Sequence, residues 1–397
     1  MVNTMRPNRL LPVMLLAVLA ACSSDVEIYV APTPEIDNAF EPEEVWSERV
    51  GDGVDDFHTR LRPAVAYGKV FAASRFGEIE ALDAATGDSL WQVSVSPQAE
   101  GWIWNTKLDA QLSGGVTAQY DKIYVGSERG ELFALSAENG ELQWQVNVGA
   151  EVLAPPSVDD GMVVVNTGSG AVVALDAESG SVKWRQQLEV PQLTLRGTSS
   201  VALLGGGVIV GKPTGKVAVL ALQSGQEIWQ QDVAPPRTGS ELDRLVDVDA
   251  DPQIMADKLY VVSYNGFLQA MELRSGRVLW QREYSSYRGF AISGHRLFLT
   301  DYRGFLYAID RDGGSELWSS NILENRGVTE AAVLGRNAVV GDSEGYLYFF
   351  DPQEGTLKAM LDIGADGFYS SPVVVDDVLY IQSRNGLITA VRLPQAE

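Results

Sequence analysis

The chain has little with which to do redox, disulfide or metal chemistry. Of its 397 residues one is cysteine and two are histidine. A single Cys forms no intrachain disulfide, so packing alone must hold the fold. His58 and His295 stand far apart, and with no Cys to join them nothing supports a zinc centre. Bases are scarce as well: 30 Lys and Arg face 53 Asp and Glu, for a net charge of −23. Two of those bases, Arg6 and Arg9, lie in the first 21 residues, which hold no acid, so the remainder carries 28 bases against all 53 acids. A body this acidic is repelled by phosphate backbones, so nucleic acid is not expected as a partner. Broad adhesion to anionic membrane surfaces is disfavoured on the same ground, and solubility accounts for the charge. Long apolar runs are missing except for one, Leu10 to Ala20, interrupted by Pro12. It is too short to span a bilayer as a helix.

That run, with Arg6 and Arg9 before it and small residues after it, reads as a signal peptide. Its end, Leu19-Ala20-Ala21-Cys22, resembles the lipobox of bacterial lipoproteins, in which the Cys thiol is acylated and becomes the new N-terminus. The expectation is a signal peptide over 1–21 and lipidation at Cys22. The alternative is an incidental Cys in a cleaved secretory peptide. By the same resemblance, Ser23 after the Cys favours the outer membrane, since Asp there marks inner-membrane retention. Residues 22–44 are then expected to form an acidic tether. Asp25, Glu27, Glu35, Asp37, Glu41, Glu43 and Glu44 carry its charge, Pro32, Pro34 and Pro42 stiffen it, and no base interrupts it. Extended, such a tether reaches roughly 60–70 Å at about 3.1 Å per residue. The other reading has its later residues packed on the body.

From there one pattern recurs: Gly, alternating apolar residues, Ala-Leu-Asp or close to it, a turn containing Gly, and Trp four residues on. Six copies end in Trp, at Trp91, Trp144, Trp184, Trp229, Trp280 and Trp318; a seventh has Ala359 in that place. An eighth opens at Gly386 and the chain ends before its turn. The leading glycines, 77, 130, 170, 215, 266, 304, 345 and 386, are spaced by 38 to 53 residues. A period near 40–45 is what four short strands and their turns need in a propeller blade. In the second copy Lys122–Gly126, Glu131–Leu135 and Glu141–Val146 each read as a strand. The leading Gly suits a hairpin that demands positive φ, and the Trp is large enough to wedge between neighbouring sheets. The last unit lacks an outer strand, while Glu44 to Val50 around Trp46 looks like an outer strand without a unit. The expected fold is therefore all-β: one eight-bladed propeller of four-stranded antiparallel blades over residues 45–397, closed by pairing of its N- and C-terminal strands. Two long units carry insertions, one holding Gly101-Trp102-Ile103-Trp104 and one holding Arg237 to Asp251. Loops on a rigid scaffold are where function tends to sit.

Catalytic patterns weaken on inspection. Gly341-Asp342-Ser343-Glu344-Gly345 matches a nucleophile elbow, but it falls in a hairpin and the elbow needs a strand-to-helix turn. Asp247, Asp249 and Asp251 alternate like the start of a calcium loop, yet Pro252 and Lys258 occupy the positions where such a loop needs Gly and Glu.

The Trp-ending repeat, Ala-Leu-Asp followed by Gly and Trp, resembles that of pyrroloquinoline quinone dehydrogenases, themselves eight-bladed propellers. Enzymes of that class often hold the quinone with an adjacent Cys pair, which is lacking here, so no cofactor is expected and the chain is not expected to be an enzyme. Over its whole length the sequence is more similar to the BamB family of outer-membrane lipoproteins of the β-barrel assembly (BAM) complex. The lipobox, the tether, the eight units and two loops carry that resemblance. Leu193-Thr194-Leu195-Arg196-Gly197 and Arg244-Leu245-Val246-Asp247-Val248-Asp249 look like the loops by which that family grips the periplasmic POTRA domains of BamA. The resemblance implies Leu193, Leu195, Arg196, Asp247 and Asp249 as partner-binding residues, a periplasmic outer-membrane location through the lipid, and unfolded outer-membrane proteins as clients. From the residues alone, Leu193 and Leu195 share one side of an extended segment, as do Asp247 and Asp249. An exposed Leu pair beside Arg196 fits a binding hot spot. An internal Arg–Asp bridge with the Leu pair in the core fits as well. The competing functions are a quinone-dependent oxidoreductase and a glycan-binding lipoprotein using Trp102 and Trp104.

Overall fold

Alternation of period two, strand after strand, builds eight antiparallel sheets. In the computed structural model, which describes residues 28–99, 106–195, 197–234, 245–364 and 366–394, the sheets occupy 64–94, 112–147, 157–187, 202–232, 253–283, 290–320, 332–362 and 373–392. They are numbered here as blades 1 to 8. In blades 1 to 7 four antiparallel strands follow one another from the innermost to the outermost, blade 2 carrying in addition the short parallel strand Arg60–Leu61 at its inner edge, and there is no helix among the described residues. The second unit's strands run Lys122–Ser127, Glu131–Ser136 and Leu142–Asn147, within a residue of the sequence reading.

Blade 8 supplies only three strands of its own, and Glu43–Arg49 completes it by pairing antiparallel with Leu387–Arg392. Glu43 stands opposite Arg392 and forms an ion pair with it at 2.8 Å. The ring is closed by its two chain ends, as expected.

Each blade is apolar on both faces because both are covered. In blade 3, Val163, Val165, Val173 and Leu175 pack towards blade 2, while Val164, Val172 and Ala174 pack towards blade 4. The outer Trp locks neighbours together. Trp46 donates from Nε1 to the Ala84 carbonyl of blade 1 at 3.1 Å, Trp144 to Ala177 of blade 3 at 3.1 Å, and Trp280 to Arg311 of blade 6 at 3.0 Å. Each ring also lies on the turn glycine of the next blade. A β-carbon on Gly87 (φ 79°) would stand 2.8 Å from the Trp46 indole. The Gly and Trp of one repeat copy therefore do not touch; each Trp meets the Gly one blade on.

Two departures have physical reasons. Gly266 does not take up the positive φ shown by the other leading glycines; Asn265 (φ 51°) does, as Asn can. Ala359 replaces Trp in blade 7 because blade 8 has no covalent turn between its last two strands, so no turn glycine or carbonyl awaits an indole. Phe40 joins that interface instead, with Phe349, Ala359 and Val391.

The stretch expected as a tether, 22–44, is described from Ile28 onwards. Its later residues lie along the ring. The amide of Ala31 donates to Glu324, Arg326 donates to the Ala31 carbonyl at 3.1 Å, and Asn38 exchanges two hydrogen bonds with the backbone of Met360. Arg326 is anchored by buried Asp342 at 2.7 Å, which also accepts from the Tyr348 hydroxyl at 2.9 Å. Cys22 lies outside the described residues.

Candidate partner-binding site

Entry to each blade's innermost strand is where the chain comes nearest the axis. The entries of all eight blades together enclose an axial cavity of about 380 Å³. Arg62, Ser113, Pro155, Thr198, Asp249 and Glu330 are among its walls. A second cavity of about 180 Å³ lies alongside, and Leu195, Gly197, Thr198 and Asp249 line both.

The two loops singled out from sequence meet here. In the segment 245–251, Val248 enters the apolar cluster between blades 4 and 5, and Ala250 the one between blades 5 and 6. Backbone bonds pin the segment: Val248 to the Lys212 carbonyl at 3.3 Å, and Tyr264 to the Asp247 carbonyl at 2.9 Å. The alternate side chains, Asp247, Asp249 and Asp251, are all buried. Asp249 lies on Gly197, where an added β-carbon would stand 2.5 Å from its carboxylate and displace it, so the glycine lets the loops approach closely. The Ser200 amide donates to Asp251 at 2.7 Å.

Leu193 is 45% exposed, whereas Leu195 is half-buried at the partition between the cavities. Asp247 is 1% and Asp249 8% exposed. The Leu pair is thus split between surface and wall, and the Asp pair faces inward as support for the loop. Arg196 lies outside the described residues, and so does Arg244. No hydrogen bond of good geometry reaches the Asp247 carboxylate from the described residues, although the amides of Leu195 and of Asp247 itself lie close enough to relieve part of its burial.

What sequence reasoning missed is Arg60, at the entry of blade 1. It donates to the Thr198 carbonyl at 2.6 Å and the Asp249 carbonyl at 3.3 Å, and pairs with Asp251 at 2.8 Å. Arg62 stands 3.9 Å from the other Asp251 oxygen. The alternation of Arg60 and Arg62 just ahead of an inner strand was the available signal, with the alternating acids as its counterpart.

Charge follows this geometry. Burial, reinforced by Asp247 and Asp251 and opposed by Arg60, pushes the Asp249 carboxyl up to about 7. Burial pushes Asp247 up to about 6. Burial acts on Asp251 too, but Arg60, Arg62 and the Ser200 amide outweigh it and hold that carboxyl below its ordinary range. Glu330, at the entry of blade 7, is raised by burial and by Asp251, and accepts from Ser371 at 3.0 Å. Among the described residues no group of three or more His, Cys, Asp or Glu is arranged to hold a metal ion. Ser343, in the elbow-like pattern, sits in a hairpin and donates to the Arg326 carbonyl at 2.8 Å.

The sequence matches the family described as outer membrane protein assembly factor BamB over residues 37–102 and 93–320. It is 43% identical over 381 residues to a protein of that name from Shewanella oneidensis, with 96% of each chain covered. It is 37% identical to the one from Escherichia coli K12, covering 96% of this chain and 97% of that one. Among solved structures, BamB from Moraxella catarrhalis superposes with a TM-score of 0.78 at 26% identity, over 89% of this chain and all of that one. A quinohemoprotein alcohol dehydrogenase from Comamonas testosteroni superposes at 0.69 with 15% identity, over 90% of this chain and 79% of that one, a likeness of fold alone.

Proposed function

The chain belongs to the BamB family of outer membrane protein assembly factors, a family of non-catalytic scaffolds, and on that premise we propose that it grips the POTRA domains of BamA through the loops 193–197 and 245–251. One observation carries this reading: the two loops, about fifty residues apart in sequence, close on each other at the axial end of a rigid ring with Leu193 left exposed. An exposed Leu backed by a buried, hydrogen-bonded support has the make-up of a binding hot spot. Leu193 is the direct contact. Leu195 shapes the wall behind it, Asp247 and Asp249 lie buried in the second loop, and Arg196 is the remaining residue assigned to partner binding. Cys22 carries the lipid that anchors the scaffold to the periplasmic face of the outer membrane, and the complex so formed presents unfolded outer-membrane proteins for folding and insertion.

The test is calorimetric titration of the protein from Ser23 onwards with POTRA domains. Leu193→Ala is expected to weaken binding at least about tenfold, the loss of ~1.4 kcal/mol or more usual for a hot spot, with the circular dichroism spectrum unchanged. Equal affinity for wild type and Leu193→Ala overturns the site, and no binding by wild type overturns the partner. Cys22→Ser is expected to move the protein to the soluble periplasmic fraction; retention in the outer membrane overturns the anchor.

A further inference from the structure

We propose that Arg60 joins the two loops into a single site, and that closure of the ring and binding of the partner are linked through it. The inference rests on reading 193–197 and 245–251 as partner loops.

Arg60 lies on the short strand Arg60–Leu61, which leads into blade 1 and pairs with the inner edge of blade 2, yet its guanidinium bonds the carbonyl of Thr198, immediately after the first loop, the carbonyl of Asp249 in the second, and the Asp251 carboxylate. It thereby ties the end of the first loop to the second. Three bonds in divergent directions need the planar, multiply donating guanidinium; a lysine ammonium is a point charge that cannot span the same carbonyls.

Arg60 arrives at the axis because the chain leading to it is pinned at each step. After the closing strand, Val50 donates to Gly386 and Val54 to Arg384 of blade 8, at 2.9 and 2.7 Å. Gly53 accepts from Arg75 of blade 1 at 2.8 Å. Arg60–Leu61 then lies parallel to Gly114–Gly115 of blade 2. Any loosening of Glu43–Arg49 on blade 8 is therefore carried, through ten residues of pinned chain, to the residue that clasps both loops. Linkage makes this reciprocal: a partner that binds the clasped loops stabilises the closed ring.

Amide hydrogen exchange with mass spectrometry on the full-length protein tests the proposal, beside titration with POTRA domains. Arg60→Gln is expected to speed exchange in 197–200 and 245–251 together, to weaken binding about tenfold or more, and to leave the circular dichroism unchanged. Arg60→Lys, which keeps the charge, is expected to fall between. Added partner should slow exchange in 43–49 of wild type and leave it unchanged in Arg60→Gln, a response that mere loss of stability does not produce. Unchanged exchange in either loop, or wild-type affinity in Arg60→Gln, overturns the proposal. If Arg60→Gln does not fold, the Arg60→Lys comparison decides by the same readouts. If wild type does not bind POTRA domains the partner reading fails, and exchange in the two loops still decides whether Arg60 couples them.

Discussion

Phe40 packs edge-on against Phe349, with ring centroids 5.9 Å apart and planes at 83°. The contact joins the acidic N-terminal stretch to blade 7, beside Ala359, where the earlier repeat copies carry Trp. A residue from outside the repeat thus fills the space that the repeat leaves when it loses its own wedge.

Phe40→Ala should therefore destabilise the ring by about 2 kcal/mol, below the 3–5 kcal/mol typical of a fully buried Phe because Phe40 is only half-buried. Urea unfolding measures this. An unchanged midpoint would mean that blades 7 and 8 pack without the strap.

The interlock between each Trp and the glycine one blade on can be separated from glycine's backbone role. Gly225 and Gly206 share a positive φ, 70° and 80°, but a β-carbon on Gly225 meets the Trp184 indole at 2.5 Å, while one on Gly206 meets nothing within 4 Å. Gly206→Ala should cost about 1 kcal/mol, the price of φ alone. Gly225→Ala should cost a further 1–3 kcal/mol or so from overpacking. Equal melting temperatures for the two variants would count against the interlock.

Stability should fall as pH rises from about 4 to about 7–8. Asp249 and Asp247 titrate in the folded state at about 7 and about 6, above the ordinary value of 3.8. The folded protein binds more protons than the unfolded chain in that window, so each group's contribution is fully present below the unfolded value and is lost as pH rises through the folded one. Asp251 is lowered and acts oppositely, its contribution being lost as pH falls through its depressed value. Arg60, Arg62 and Glu330 face the same cluster and set the balance. Denaturant unfolding across this range should show a shallower slope in Asp249→Asn; an identical slope would remove Asp249 as a source.

Arg326→Leu should destabilise the protein by about 3–5 kcal/mol, because it leaves the Asp342 carboxylate buried without its cation. It should also free residues 29–33, whose Ala31 carbonyl Arg326 holds, to limited proteolysis. Protease resistance equal to wild type would show that the Glu324 carbonyl, which accepts from the Ala31 amide, and Asn325, which donates to the Tyr29 carbonyl at 2.7 Å, suffice to hold this stretch.

Much of the fold is legible in the residues because the repeat is a local code. Gly, the alternating strand and the Asp-containing turn each impose a backbone geometry within a few positions, and eight leading glycines count the blades. The strand around Trp46 betrays the closure because an outer strand with no inner partners has one place left to go. The loops are less legible. Alternation places Asp247 and Asp249 on one side, but does not say whether that side meets solvent or the axis, and Leu193 and Leu195 part company for the same reason.

What the sequence by itself determined is whatever depends on neighbours along the chain: strand period, turn conformation and blade number. What only the tertiary structure decided is whatever depends on curvature around the ring. The partner of each Trp is a glycine in the next blade, Phe40 substitutes for the wedge absent at Ala359, and Arg60, at the inner edge of blade 2, meets Thr198, Asp249 and Asp251. Those contacts join residues tens to hundreds of positions apart, and no local propensity specifies them. They exist because eight sheets, each nearly indifferent to the others in sequence, can bury both faces only by closing into a circle.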